Sequence, residues 1–178
     1  MKILEIMTAN PKWCIPEDMA TKAARMMKEM DVGIVPVVKS PADRTIVGVV
    51  TDRDLCLAVL AADTYPNAVP IQKCMTTNIV ACQPTDDVQQ ATRLMEANQV
   101  RRIPVIDQRG MLQGMISMAD ICQRGNLPFE TTHRLLQKVS EPMEHASKPR
   151  AMMMELGHIE AQGPESWEKE VPPGLEQR

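Results

Sequence analysis

An internal duplication constrains the fold of this chain more than any other feature. Shifted by 68 positions, the sequence aligns Met7–Val37 with Met75–Val105 without a gap, and 12 of the 31 pairs are identical. Each copy continues into a similar stretch, Gly48–Leu55 in the first and Gly114–Ile121 in the second. A repeated block of this size is typical of one supersecondary unit, so the sequence predicts two similar halves of mixed helix and strand.

The spacing of apolar residues predicts the same order of elements in both halves: a lead-in helix, an extended segment, a helix, two strands and a second helix. In the first half these are residues 1–8, Lys12–Ile15, Pro16–Met30, Val32–Val38, Ile46–Val50 and Asp52–Ala61. In the second half they are Ile71–Met75, Ile79–Cys82, Thr85–Asn98, Arg102–Asp107, Leu112–Ile116 and a last helix that starts at Ser117 or Met118 and ends at Arg124.

The repeat and the changes in composition also set the domain boundaries. We place them at residues 1–62 (first half), 63–70 (linker), 71–125 (second half), 126–145 (C-terminal helical segment) and 146–178 (tail). The tail is rich in Pro, Glu, Gln, Lys and Gly with little periodicity, which predicts disorder.

Charge and hydropathy exclude several classes of function. Residues 1–125 hold 14 acidic and 14 basic side chains, and residues 126–178 hold 9 acidic and 6 basic, so the net charge of −3 lies in the C-terminal part. This balance lacks the basic footprint of a nucleic-acid-binding protein. The amino terminus lacks the apolar run of a signal peptide, and no segment has the apolar length of a membrane span. We therefore expect a cytoplasmic protein that binds neither nucleic acid nor membrane.

Cysteine spacing gives little support for disulfides or zinc. None of the five cysteines forms a CxxC pair, and four of them occupy equivalent repeat positions, Cys14 with Cys82 and Cys56 with Cys122. This regularity favours small buried side chains.

The repeated stretch carries the main chemical signal. A strand that ends in Thr51 or Ser117 and passes directly into a helix places a hydroxyl and free backbone N–H groups at one helix start, which favours an anion such as phosphate. Asp54 and Asp120 follow on the same helix face, where a carboxylate can accept bonds from paired ribose hydroxyls. The alternative is a capping box, which needs only these residues. Two occurrences at matched positions favour a ligand site.

Taken together, these residues resemble the CBS domain family, named from cystathionine beta-synthase. The resemblance rests on Met7-Thr8 and Met75-Thr76, on Val32–Val37 and Val100–Asp107, and on both glycine-led motifs. It covers about residues 1–125 and indicates a tandem pair, known as a Bateman module. It implies an α/β (α+β) fold of two β-α-β-β-α units whose sheets pack face to face about a pseudo-twofold axis.

The resemblance also implies a ligand and its site. Clefts between such halves commonly take AMP, ADP, ATP or another adenosyl ligand, with the motif aspartate on the ribose and the hydroxyl near ribose or phosphate. Asp54 and Thr51 would then serve one cleft, and Asp120 and Ser117 the other. The extended segments, Lys12–Cys14 and the one containing Val80, would lie beside the base.

Further candidates come from positions at which the two copies differ. Arg53, Arg101 and Arg102 have no arginine counterpart, and a planar guanidinium suits phosphate oxygens. A solvated or internally paired charge is an equal alternative for each. Trp13 could stack on a purine or fill the pocket.

The resemblance implies a stand-alone regulatory module for energy sensing, which signals through a partner or its own homodimer. No metal-ligand cluster or catalytic motif occurs, and the three histidines lie outside the repeats at His133, His145 and His158. We therefore expect no enzymatic activity and no catalytic cofactor. The alternatives are a ligand-free scaffold that recruits its partner through the C-terminal region, including a helix at Thr131–Ser140, and an enzyme that acts on the nucleotide.

Overall fold

The structure, a computed structural model, describes residues 1–142 and contains five α-helices and five β-strands there. The helices are α1 (Ala20–Met30), α2 (Asp52–Val59), α3 (Val88–Asn98), α4 (Met118–Arg124) and α5 (Phe129–Ser140). The strands are β1 (Thr8–Ala9), β2 (Ile34–Val38), β3 (Ile46–Thr51), β4 (Arg102–Ile106) and β5 (Leu112–Ser117). The mixed α/β (α+β) class is confirmed, whereas the predicted tail, 146–178, lies outside the described residues.

The described strands form two small antiparallel sheets. Strands β2 and β3 pair in one sheet, and the other has the order β1-β5-β4. The predicted extended segments are each reduced to an isolated parallel bridge, from Cys14 to Val37 and from Cys82 to Val105. Each segment therefore continues the edge of a sheet without becoming a strand of it.

The lead-in segment of each half pairs with the opposite half. Strand β1 lies against β5, with Thr8 opposite Met115. Reciprocally, Thr76 and Val49 exchange two backbone hydrogen bonds, of 2.8 and 3.0 Å. The predicted lead-in helices are single turns of 3-10 helix, Ile3–Glu5 and Ile71–Lys73. This exchange interlocks the two halves.

A second pair of contacts indicates the pseudo-twofold axis. The Ile46 N–H donates to the Gly110 carbonyl at 3.0 Å, and the Leu112 N–H donates to the Arg44 carbonyl at 3.0 Å. Residues 44 and 46 are related to 110 and 112 by the same offset of 66, so the two bonds are symmetry equivalents. The axis passes between the two β-hairpin turns.

Each half has its own apolar core, and each core includes a residue from the opposite lead-in. Ile71 is buried in the first core, and Ile3 in the second. The first core packs α1 and α2 on β2 and β3 through Cys14, Ala20, Ala23, Met27, Val35, Val37, Val50, Leu55 and Val59. In the second core, α5 adds Leu135 and Val139, which pack with residues of α3 and α4.

The first helix of each half begins later than predicted. We expected starts at Pro16 and Thr85, but α1 begins at Ala20 and α3 at Val88. The intervening acidic residues close turns, since the Asp18 carboxylate accepts a bond from the Ile15 N–H at 2.9 Å. Asp86 does the same for Gln83 at 2.8 Å. These carboxylates satisfy backbone donors ahead of the helix instead of starting it.

The cysteine prediction is only half right. Cys14 and Cys82 are buried, but Cys56 and Cys122 are exposed on the outer faces of α2 and α4. All five thiols are free. Within residues 1–142, no helix combines the length and apolar character needed to cross a bilayer.

Candidate functional site

The two repeated motifs have nearly identical geometry. Thr51 precedes α2, and its N–H and hydroxyl both donate to Asp54 Oδ2, at 2.9 and 2.7 Å. Ser117 precedes α4 and donates in the same way to Asp120 Oδ2, at 2.9 and 2.6 Å. In return, each hydroxyl accepts the aspartate N–H at 3.1 Å. The motif is therefore a complete capping box in both halves, with Thr51 and Ser117 as N-caps.

Capping uses only half of each carboxylate. In both motifs Oδ2 accepts the two bonds from the cap residue, which leaves Oδ1 outside the capping box. A carboxylate oxygen has two lone pairs for hydrogen bonding. The structural role of the motif is thus compatible with a second role as an acceptor for hydroxyl groups.

The second carboxylate oxygens have different surroundings. Asp120 Oδ1 accepts a charge-assisted bond from the Arg124 guanidinium, one turn along α4. Among the residues that the structure describes, Asp54 Oδ1 has no hydrogen-bond or ion-pair partner. The residue that corresponds to Arg124 in the first half is Ala58.

The glycine that opens each motif makes room for the exchanged lead-in. A Cβ on Gly114 would lie 2.6 Å from Met7 Sδ and 3.0 Å from the Thr8 carbonyl oxygen. On Gly48 it would lie 3.0 Å from Met75 Sδ and 3.1 Å from the Thr76 carbonyl oxygen. The Met-Thr pairs and the motif glycines therefore recur together because they touch across the two halves.

One predicted arginine reaches the first motif from the opposite half. Arg102 begins β4, yet its Nη1 atom lies 3.4 Å from the point that a Cβ on Gly33 would occupy. Asp52 Oδ2 lies 2.9 Å from the same point, and the Asp52 N–H donates to the Gly33 carbonyl at 3.1 Å. The Arg102 guanidinium is thus brought near Gly33 and the start of α2, with the Asp52 carboxylate nearby.

The other two arginines are placed differently. Arg53 is exposed in the first turn of α2, and Arg101 is exposed just before β4, where its carbonyl accepts the Met118 N–H at 2.8 Å. Across residues 1–142, none of the three arginine side chains forms an ion pair. Their charges are therefore available to an anion.

The side chains expected beside a base lie in the two extended segments. Trp13 is half-buried next to Cys14, whose N–H donates to the Pro36 carbonyl at 3.0 Å. Val80 is also half-buried, but it packs against the second core. Val80 is thus partly committed to core packing.

The lead-in of the second half also contributes to the surroundings of Asp54. Burial raises the pKa of the Cys74 thiol to about 11, and the negative charge of Asp54 is the second cause of this raised pKa. Cys74 therefore lies close to the first motif. Sequence reasoning did not single out Cys74, Asp52 or Arg124. Arg124 could have been found, because the corresponding residue of the first repeat is Ala58.

Comparison with known proteins identifies the family. The sequence model of the CBS domain matches residues 3–61 and 71–125. The uncharacterised protein YlbB of Bacillus subtilis (strain 168) is 38% identical over 143 residues, which cover 80% of this chain and 92% of YlbB. Hypoxic response protein 1 of Mycobacterium tuberculosis is 30% identical over 143 residues, covering 80% of this chain and 96% of that protein.

Solved structures agree with this assignment. The crystal structure of Hypoxic Response Protein I with two coordinated zinc ions has a TM-score of 0.63 at 30% identity, covering 72% of this chain and all of that one. In residues 1–142 of the present chain, no group of three or more His, Cys, Asp or Glu side chains could hold a metal ion. The crystal structure of CBSX2 in complex with AMP has a TM-score of 0.58 at 26% identity, covering 68% of this chain and 93% of that one. The chain therefore belongs to the CBS domain family and contains a tandem pair of its domains, a Bateman module.

Proposed function

We propose that this protein is a regulatory module that binds an adenine nucleotide, with AMP as the first candidate and ADP or ATP as the others, beside Thr51 and Asp54. Occupancy would be passed to a protein partner or to a homodimer of the chain. A cytoplasmic location and the absence of catalysis are part of the same proposal.

The proposal rests on two complementary groups near the start of α2. Asp54 Oδ1 is an acceptor without a partner among residues 1–142, and the Arg102 guanidinium arrives there from the opposite half. Ribose hydroxyls need an acceptor, and a phosphate needs cationic donors. A nucleoside monophosphate requires both a hydrogen-bond acceptor and a cation. A helix cap requires neither the free carboxylate oxygen nor the guanidinium.

A ligand held this way would be coupled to the arrangement of the two halves. Asp54 belongs to the first half and Arg102 to the second, so one nucleotide would contact both. A ligand shifts a conformational equilibrium only through different affinities for the two states. Any state in which Arg102 moves away from α2 would bind AMP less tightly, and this difference is the signal.

The relatives support an adenosyl ligand in general. CBSX2, at 26% identity, was crystallised with AMP.

The Asp52 carboxylate lies near Arg102 and would repel a phosphate. A monophosphate is therefore favoured over ADP and ATP, whose additional negative charges would meet the same carboxylate.

A thermal-shift titration with AMP tests the proposal. A ligand that binds only the folded state raises the melting temperature with concentration. We expect the rise in wild type to be lost in Asp54→Ala, with an affinity reduced about 10- to 100-fold, since a hydrogen bond to a charged group contributes about 1.5–3 kcal/mol. Asp120→Ala is the matched control because it removes the equivalent capping box of the second half. This variant should retain the AMP response.

Adenosine separates the role of Arg102 from that of Asp54. Arg102→Ala should weaken AMP but leave adenosine unchanged, whereas Asp54→Ala should weaken both. Arg109→Ala, which removes an exposed charge from a β-hairpin turn, should alter neither. If nucleotide-free wild type shows no shift with any adenine nucleotide at millimolar concentration, the proposal is wrong and a ligand-free scaffold takes its place.

A further inference from the structure

We infer that Arg124 makes the two clefts unequal, so that the chain binds one nucleotide tightly at Asp54 and a second one weakly at Asp120. The inference rests on the proposed function and adds a specificity-determining residue to it. Symmetry of the motifs alone would predict two equal sites. The inequality arises one helical turn beyond the motif, at a position where the two repeats differ.

The geometry behind this inference is the competition for a single oxygen. In both motifs Oδ2 is already occupied by the N–H and hydroxyl of the cap residue, so an incoming ribose depends on Oδ1. In the second half the Arg124 guanidinium occupies Oδ1 of Asp120. A nucleotide must displace this guanidinium, whereas at Asp54 it finds Oδ1 without a partner among the described residues.

Burial strengthens the competing pair. The Asp120 side chain is only 17% exposed, whereas that of Arg124 is 51% exposed. A carboxylate that is mostly removed from water depends more on its remaining partner than a fully solvated one does. The guanidinium is therefore an internal competitor for the position that a ribose hydroxyl would take.

Two of the surrounding residues differ in the same direction. The first motif receives Arg102 from the opposite half, and the residue that corresponds to Arg102 is Ile34, which carries no charge. The first motif itself contains Arg53, where the second has Ala119. The second motif thus lacks these two cationic groups and has its acceptor occupied. Its own unmatched cation is the exposed Arg101, whose carbonyl accepts the Met118 N–H and whose counterpart in the first half is Gly33.

Calorimetric titration of the full chain with AMP tests the inference. In wild type we expect one tight site per chain and a second site at least about threefold weaker, as displacement of a half-exposed i,i+4 ion pair would produce. Arg124→Ala gives the second motif the residue that the first has at Ala58. It should raise the affinity of the second site at least about threefold and leave the first unchanged.

Arg124→Lys and Arg124→Gln sharpen the result. Lysine keeps a cation near Asp120 and should leave the second site weak, whereas glutamine is uncharged and shorter and should strengthen that site as alanine does. Arg124 is half-exposed, so we expect these variants to fold, and their melting temperatures without nucleotide verify this. Asp120→Ala in the Arg124→Ala background should abolish the strengthened site.

Three results would overturn the inference. Two equal sites in wild type would contradict it, and so would an Arg124→Ala variant that binds like wild type. Weaker second-site binding in Arg124→Ala would assign Arg124 to ligand phosphate instead of to competition. In all three cases AMP still binds at Asp54 and the proposed function stands; if AMP binds neither wild type nor Arg124→Ala, the proposed function itself fails.

Discussion

At the scale of single residues, the two interpretations of the repeated motif are not exclusive. The Asp54 carboxylate uses one oxygen to hold the start of α2 and keeps the other outside the capping box. A short motif can therefore start a helix and offer a ligand acceptor at the same place. For this reason a loss of stability in an Asp54 variant says nothing by itself about ligand binding, and the Asp120 variant is needed beside it.

The motif glycines give a prediction at the same scale. Gly114→Ala and Gly48→Ala should both lower the free energy of unfolding, by about 1–3 kcal/mol, because each added methyl group meets the opposite lead-in. The effect should be larger at Gly114, where the distances to Met7 Sδ and the Thr8 carbonyl are shorter. Urea denaturation measures both.

Met7→Ala is the internal control for the glycine prediction. It removes the flexible side chain but leaves the Thr8 carbonyl. Gly114→Ala should therefore lower the free energy of unfolding in this background too, but by less than in wild type. An unchanged urea midpoint for both glycine variants would contradict the close approach of the lead-ins to β3 and β5.

At this scale the sequence was informative where both copies agree. Hydroxyl, carboxylate and helix start follow from local spacing, so both capping boxes could be predicted. The Arg124 pair with Asp120 lies four residues away in only one copy, and a comparison that looks for shared residues passes over it. The exposure of Cys56 was also missed, since its position on α2 depends on which helix face meets the core.

At the scale of elements, α5 covers the second half alone. Leu135 and Val139 are buried in the second core, while Phe129 and Leu136 remain 75% and 49% exposed. Arg134 adds an ion pair to Glu96 of α3 at 3.1 Å. The helix predicted at Thr131–Ser140 is confirmed, with a start at Phe129.

Two neighbouring leucines on α5 test its role. Leu135→Ala should lower the free energy of unfolding by about 2–5 kcal/mol, since the side chain is fully buried. Leu136→Ala changes the adjacent, half-exposed side chain and should cost less than about 0.5 kcal/mol. Equal effects in thermal or urea unfolding would mean that α5 is not part of the second core.

Element boundaries show where local rules stop. Pro16, Glu17 and Asp18 are good first-turn residues, yet α1 starts at Ala20 because Asp18 closes a turn. Propensity cannot distinguish a carboxylate in the first helical turn from one that satisfies the preceding loop. The end of α1 was correctly predicted, since Asp31 takes the left-handed conformation, with φ of 52°, that terminates helices.

At the scale of the whole molecule, the exchanged lead-ins join the two halves into one folding unit. Ile3 belongs to the second core and Ile71 to the first, and both are fully buried. Neither core is complete within a contiguous half of the sequence. A self-comparison of the sequence finds the repeat but not the exchange. A lead-in that packs on its own half and one that packs on the opposite half would have the same sequence.

Unfolding cooperativity follows from this arrangement. Ile3→Ala and Ile71→Ala should each lower the free energy of unfolding by about 2–5 kcal/mol. Each should shift the midpoint of one common transition downwards. Leu4→Ala, at a 52% exposed neighbour, is the control and should change little. Two separate transitions by circular dichroism, each sensitive to only one of the isoleucines, would contradict the interlocked halves.

If AMP binds across the two halves at the start of α2, as we propose, a crystal structure of the nucleotide complex will show it there. At an AMP concentration that saturates the calorimetric signal, we predict a ribose hydroxyl within about 3 Å of Asp54 Oδ1 and the phosphate against Arg102. Nucleotide density at Ser117 and Asp120 alone, or a ribose held by other residues, would rule out the proposed site.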